Sequence, residues 1–295
     1  MNTFNESDHP RGGNPGNPGQ FSAKTHKEAE CSLDDYDPLA GLNADQRRSL
    51  AKDPDTPAET LTQLSEDENP FVRWEVAKNL NAPAEALVRL SGDQDQWVRW
   101  EVAKNPNTPE GTLTRLSKDE DLDVRSAVAK NPNTPTEILN RLSKDKDQEV
   151  RWGVAENPNT PAEILNRLSE DEDGWVRSAV ARNKNAPAET LTRLSEDKDP
   201  WVREWVARNP NLPAEVIDRL SADENPSVRH GVASNPNAPA GILTRLSKDE
   251  DLYVRRKVAR NPNTPDETLT RLNEDEDLNV RRITRQALQA RANAG

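Results

Sequence analysis

Six of the seven tryptophans in this 295-residue chain fall on one helical stripe, where they alternate with Lys and Arg. The stripe is built from positions typified by Phe71, Trp74 and Lys78, which stand at i, i+3 and i+7 on one side of a helix and turn away from Val72 and Val76. Along the chain it also takes in Trp97, Trp100, Trp152, Trp175, Trp201, Tyr253, Arg256, Arg260 and Arg282, with Trp205 one position to the side. Flat aromatic faces next to cations suit binding, because Trp and Arg dominate the energetics of interfaces. Lys78 aside, these twelve residues are therefore the candidate partner-binding set. The alternative is that each indole lies across the neighbouring segment and fills a groove between helices. Uneven occupancy favours binding, since equivalent positions range from Trp to Ser126 and Asp123.

Bond-making chemistry has no comparable set of residues, and no catalytic residue is expected. The histidines are His9, His26 and His230, which cannot build a Ser-His-Asp constellation on a repeating background, and no glycine-rich phosphate loop is present. Cys31 is the single cysteine, so it can neither close an intramolecular disulfide nor anchor a cysteine-based metal site. Loops such as Asp171-Glu-Asp-Gly lack the ligand spacing of a calcium loop and read as helix caps. No metal and no cofactor is expected.

Composition first suggests an unfolded acidic chain. Net charge is −12 and the hydrophobic share is 32%, against about 45–50% in ordinary globular chains. Periodicity overrules that reading. Val-Arg recurs every 26 residues from Val72 to Val280, which defines nine units over residues 53–286. Each unit predicts two short helices. In the first, exemplified by Thr160-Pro161-Ala-Glu163, the Thr is placed to cap, the Pro to occupy the first helical position and the Glu to complete a capping box. Gly111 and Gly241 replace that Glu, so looser first helices are expected there. The second helix begins at an Asp or Asn in all nine units, from Asn69 to Asp277, and stops where Asn-Pro-Asn breaks it.

Four ladders, represented by Leu61, Leu64, Val72 and Val76, carry the core, and Thr284 is their one polar member. Four such side chains cannot offset the ordering of 26 residues. Units must therefore stack, which is the logic of a solenoid. Residues 41–52 read as a half-repeat N-terminal cap and 287–295 as the end of a C-terminal capping helix, while 1–40 read as a disordered tail.

The Asp series from Asp67 and the Arg series from Arg73 recur in every unit, and this marks them as scaffold: a structural ladder of ion pairs, or less simply an Arg rail open to an anionic partner. Around Arg255, Arg256, Lys257, Arg260, Arg281, Arg282, Arg285 and Arg291 the C-terminal end is locally basic. Either the adjoining acidic loops balance it, or it meets an acidic protein or nucleic acid.

The motifs Val-Arg-x-x-Val-Ala-x-Asn-Pro-x-Thr-Pro and Leu-x-x-Leu-Ser-x-Asp resemble the bacterial leucine-rich repeat variant family over residues 46–286. That resemblance implies an all-α fold without β-sheet: a right-handed, HEAT-like solenoid alternating α and 3₁₀ helices. Some members carry an iron–sulfur cysteine cluster, which a chain with Cys31 alone cannot hold. His9-Pro-Arg, Gly19-Gln-Phe and Lys24-Thr-His look like a short leader of bacterial proteins, which implies a bacterial, cytoplasmic setting. No apolar run suits a membrane span. The chain thus reads as a non-enzymatic scaffold for a protein or extended peptide bound along the stripe. The alternative is a nucleic-acid-binding helical repeat protein, with bases stacked on the aromatics and phosphates on Arg and Lys.

Overall fold

A computed structural model describes residues 39–293. The leader-like motifs, Cys31 and all but the last two residues of the expected tail lie outside the described residues. Among the described residues there are nineteen α-helices and no strand. A row of long helices comprises α1 (Ala44–Lys52), α3 (Pro70–Lys78), α5 (Gln96–Lys104), α7 (Leu122–Lys130), α9 (Gln148–Glu156), α11 (Gly174–Arg182), α13 (Pro200–Arg208), α15 (Pro226–Ser234), α17 (Leu252–Arg260) and α19 (Leu278–Ala292). Seven-residue helices alternate with them: α2 (Ala58–Leu64), α4 (Ala84–Leu90), α6 (Glu110–Leu116), α8 (Thr136–Leu142), α10 (Ala162–Leu168), α12 (Ala188–Leu194), α14 (Ala214–Leu220), α16 (Ala240–Leu246) and α18 (Asp266–Leu272). Consecutive long helices pack side by side, and each short helix touches the long helix before and after it.

The core lies between the two rows. Leu61, Leu64, Val72 and Val76 are fully buried, and so are most of their equivalents in later units. Thr284 is also fully buried; its hydroxyl donates to the Val280 carbonyl at 2.9 Å, so the polar atom is satisfied within its own helix.

The long helices start as the sequence predicts. In eight of the nine from α3 onward the Asp or Asn side chain accepts from backbone N–H groups of the first turn. Asp147 is the exception, because its carboxylate accepts from Arg125 at 2.5 Å instead.

The short helices start differently from the expectation. Pro161, not Thr160, is the N-cap of α10, and no side chain caps it. Thr160 is fully buried and its hydroxyl donates backwards to the Val154 carbonyl at 2.6 Å. The reason lies in the preceding helix: Pro158 has no N–H to give the Val154 carbonyl, which is left with a share of the Asn157 N–H at 3.2 Å. Thr108, Thr134 and Thr264 do the same. With no capping box to lose, α6 and α16 keep the common seven-residue length despite Gly111 and Gly241. The short helices are α-bonded in the middle and end in i→i+3 bonds such as Glu170 N–H to Arg167 O, so 3₁₀ character is confined to their ends.

Asparagines tie each unit to the one before. The buried Asn157 amide donates to Ala129 O at 2.7 Å and to Asn131 O at 2.9 Å, while Asn159 donates to Pro132 O at 2.6 Å. The same contacts recur from Asn79 to Asn261.

Candidate partner-binding surface

Two rows of aromatics emerge from the exposed side of the long helices. At the second position after each cap, Phe71, Trp97, Trp175, Trp201 and Tyr253 stand out into solvent, with exposures of 63, 52, 63, 43 and 60%. Their backbones are fixed by the caps, as when Trp175 N–H donates to Asp173 Oδ1 at 2.7 Å. Three residues further on, Trp74, Trp100 and Trp152 are half-buried, as is Trp205 one position beyond.

The structure gathers several of these into clusters. Trp97 and Trp100 meet edge to face at 6.0 Å. Trp175 meets Trp201 across α11 and α13 at 6.1 Å, and Trp201 meets Trp205 at 5.9 Å. Cations lie over the half-buried rings: Lys78 on Trp74 at 4.8 Å, Lys104 on Trp100 at 3.9 Å, Lys130 on Trp152 at 4.5 Å, and both Arg182 and Arg208 on Trp205 at 4.8 and 5.0 Å. Such contacts hold the inner rings in place. The outer rings remain free to touch a partner, except that Arg256 covers Tyr253 at 5.2 Å and Arg48 approaches Phe71 at 5.8 Å.

The recurrent arginines are not an open rail. Each from Arg47 to Arg255 forms a bidentate pair with the Asp twenty residues ahead, in the next unit, with Nε–Oδ2 distances of 2.5–2.8 Å. Their remaining nitrogen donates to carbonyls of their own loop, as Arg177 does to Asp171 O at 2.8 Å. Hydrogen bonding to Asp197 pushes Arg177 above its ordinary range. Burial pushes the Asp223 carboxyl up, but Arg203 and the Asn225 N–H outweigh it and hold the group below the usual carboxylate range. Asp171 and Asp173 are thus a rung and a cap. Among the described residues no cluster of His, Cys, Asp or Glu could hold a metal ion.

The basic C-terminal end divides in two. Arg255 sits in the ladder, Arg256 binds Asp277 at 3.1 Å, Arg285 binds Asn273, and Arg291 binds Asp266. Arg281 donates to the Asp275 and Glu276 carbonyls. Lys257, Arg260 and Arg282, by contrast, have no carboxylate partner among the described residues. They line a hollow of about 240 Å³ with His230, Tyr253 and Arg256. Burial first, then the charges of Lys257 and Arg208, lowers the imidazole of His230 to about 4. Burial, Arg208 and Arg260 likewise push the Lys257 ammonium down.

Sequence reasoning overlooked the position between stripe and core. It holds buried Glu75 and Glu101, then Trp205, then Lys257. Glu75 accepts from Arg48 Nε at 3.1 Å, and Glu101 pairs with Lys104 at 3.1 Å. Trp205, displaced from the stripe, was the signal that this column also varies.

Residues 149–173, 174–199, 200–225, 226–251 and 253–277 each match the profile described as leucine rich repeat variant. A solved structure described as a leucine-rich repeat variant with a novel repetitive protein structural motif is similar at 30% identity and a TM-score of 0.54, over 76% of this chain and 88% of that one. An engineered protein (19% identity, TM-score 0.35, 85% and 96% covered) matches more loosely. So does a computationally designed armadillo repeat protein for modular peptide recognition (15%, 0.20, 83% and 98%). Comparison with curated proteins finds no match.

Proposed function

The chain belongs to the leucine-rich repeat variant family, and from that premise we propose that it is a non-enzymatic scaffold binding a protein or extended peptide along its long-helix stripe. One observation carries the reading. Five large aromatic rings stand between 43 and 63% exposed on a single face, while the ladders beneath them are apolar at every position but Thr284. Nothing in the fold requires those rings, since Ser227 and Asn279 occupy equivalent positions in helices of the same construction.

Replacing Trp97, Trp175 and Trp201 together by Ala tests the reading. Each exposed ring placed in an interface contributes about 2 kcal/mol, so the triple variant should lose affinity by more than a hundredfold for partners recovered with the native protein. The melting temperature should change little. A sharp fall in melting temperature with every recovered partner still bound would overturn the reading and leave the rings as packing.

Nucleic acid is less well suited to this face. Asp123, Glu149 and Glu156 interrupt the stripe, and a continuous phosphate backbone would run over them. Binding that weakens steeply with salt would favour that alternative.

A further inference from the structure

The stripe changes character along its length. At the position between stripe and core the units read Glu75, Glu101, Ala127, Gly153, Ala179, Trp205, Gly231, Lys257 and Ile283. Buried acids thus occupy the first units and an ammonium occupies the eighth. The early acids are neutralised locally, by Arg48 and by Lys104. The late cations are not. Lys257 is half-buried, has no carboxylate partner among the described residues, and faces Arg208 and Arg260, two further cations. Arg282 opens onto the same hollow. The nearby acids already have work: Glu204 is paired with Arg208, Asp251 caps α17, and Asp277 caps α19 while holding Arg256. Arg208 Nε is buried and has no hydrogen-bond partner. Burial and the crowding guanidinium groups disfavour the charged ammonium, and an anion in the hollow would favour it again.

Resting on the scaffold reading above, we propose that the hollow between α15, α17 and α19 is the acid-accepting end of the stripe, a subsite for carboxylates on an acidic stretch of the bound peptide. The exposed forks of Arg260 and Arg282 can each grip a carboxylate through two parallel N–H donors, and Lys257 supplies a point charge beneath them. The Tyr253 ring forms one wall. Further back along the stripe Glu149, Glu156 and Asp123 repel acid, and Lys78 and Lys130 there lie over tryptophan rings. The subsite therefore also fixes the direction in which the peptide lies.

An unlabelled octaglutamate peptide, titrated at low salt and followed by isothermal titration calorimetry, tests this with the whole chain. Octaglutamate should bind, and the double variant Arg260→Glu, Arg282→Glu should weaken it at least tenfold. The control double variant Lys118→Glu, Lys144→Glu changes charge equally on exposed loops away from the stripe and should stay within twofold. Equal losses in both doubles, or no loss in either, would overturn the subsite. So would an eight-nucleotide thymidylate strand bound more tightly than octaglutamate and lost in the same double, which would make phosphate the ligand. Octaglutamate has no aromatic groups, so its binding does not depend on the scaffold reading. If Trp97, Trp175 and Trp201 prove essential for native partners while octaglutamate ignores Arg260 and Arg282, the subsite falls alone. If octaglutamate behaves as expected but the tryptophan variant keeps every partner, the scaffold reading falls and the anion site stands.

Discussion

Arg151 donates to four oxygens at once: both carboxylate oxygens of Asp171 in the next unit, and the carbonyls of Asp145 and Lys146 in its own. It closes its own loop and joins two units with one planar group, which an ammonium cannot do. Arg151→Ala would leave Asp171 buried without its partner, and we expect a loss of about 3–5 kcal/mol in urea unfolding. Arg151→Lys should recover only part of it. Recurrence in the sequence revealed that Asp and Arg belong to the scaffold, because a residue present in every unit is answering a need of every unit. It did not reveal that the bond crosses to the next unit, since a strict period looks the same for either neighbour. The misread Thr160 has the same origin. Thr-Pro-Ala-Glu has the letters of a capping box, but a buried hydroxyl turns to whichever backbone group is short of a donor, and that was the Val154 carbonyl, which Pro158 cannot serve.

Among the elements, the glycines separate two kinds of contact. A Cβ on Gly111 or Gly241 would meet nothing within 4 Å, so both positions in the short helices carry only the entropic cost of glycine. Gly111→Ala and Gly241→Ala should each raise stability by about 0.5–1 kcal/mol in thermal unfolding. Gly231 is opposite in kind. A Cβ there would lie 2.8 Å from Glu204 O and 3.0 Å from the Ala207 Cβ, so Gly231→Ala should push α15 off α13 and cost about 1–3 kcal/mol. Helix number, order and the starting caps of the long helices were legible because caps and apolar spacing are local signals. Which glycine permits close approach was not, because that depends on the facing helix. The exposed and half-buried rows of the stripe were likewise indistinct in sequence: Trp97 and Trp100 share a face at helical spacing, but only the cation over Trp100 marks it as the inner ring.

In the molecule as a whole, a core one unit deep repeats along the array, so damage should depend on where it falls. Arg255→Ala strikes the joint to the last helix pair, α18 and α19, whereas Arg151→Ala strikes the middle. We expect the first to release only the C-terminal unit, as an early step of small amplitude in amide hydrogen exchange. The second should divide the array into two separately unfolding parts. Uniform loss of protection in both variants would show that the nine units unfold as a single body. The low hydrophobic share of 32% follows from the same geometry, since most of each unit remains surface. The net charge of −12 does not describe the stripe, where cations gather at one end.

The cross-ties made by Asn157 and Arg151 are built alike wherever they recur, so one joint can replace another. A stretch such as 131–156 could be copied or dropped and the flanking units would find the same donors and acceptors waiting. Inheritance can therefore lengthen, shorten or reorder the array without redesigning it, and each such event rewrites the succession of side chains a partner meets. The scaffold conserves grammar while the outward text is free to drift.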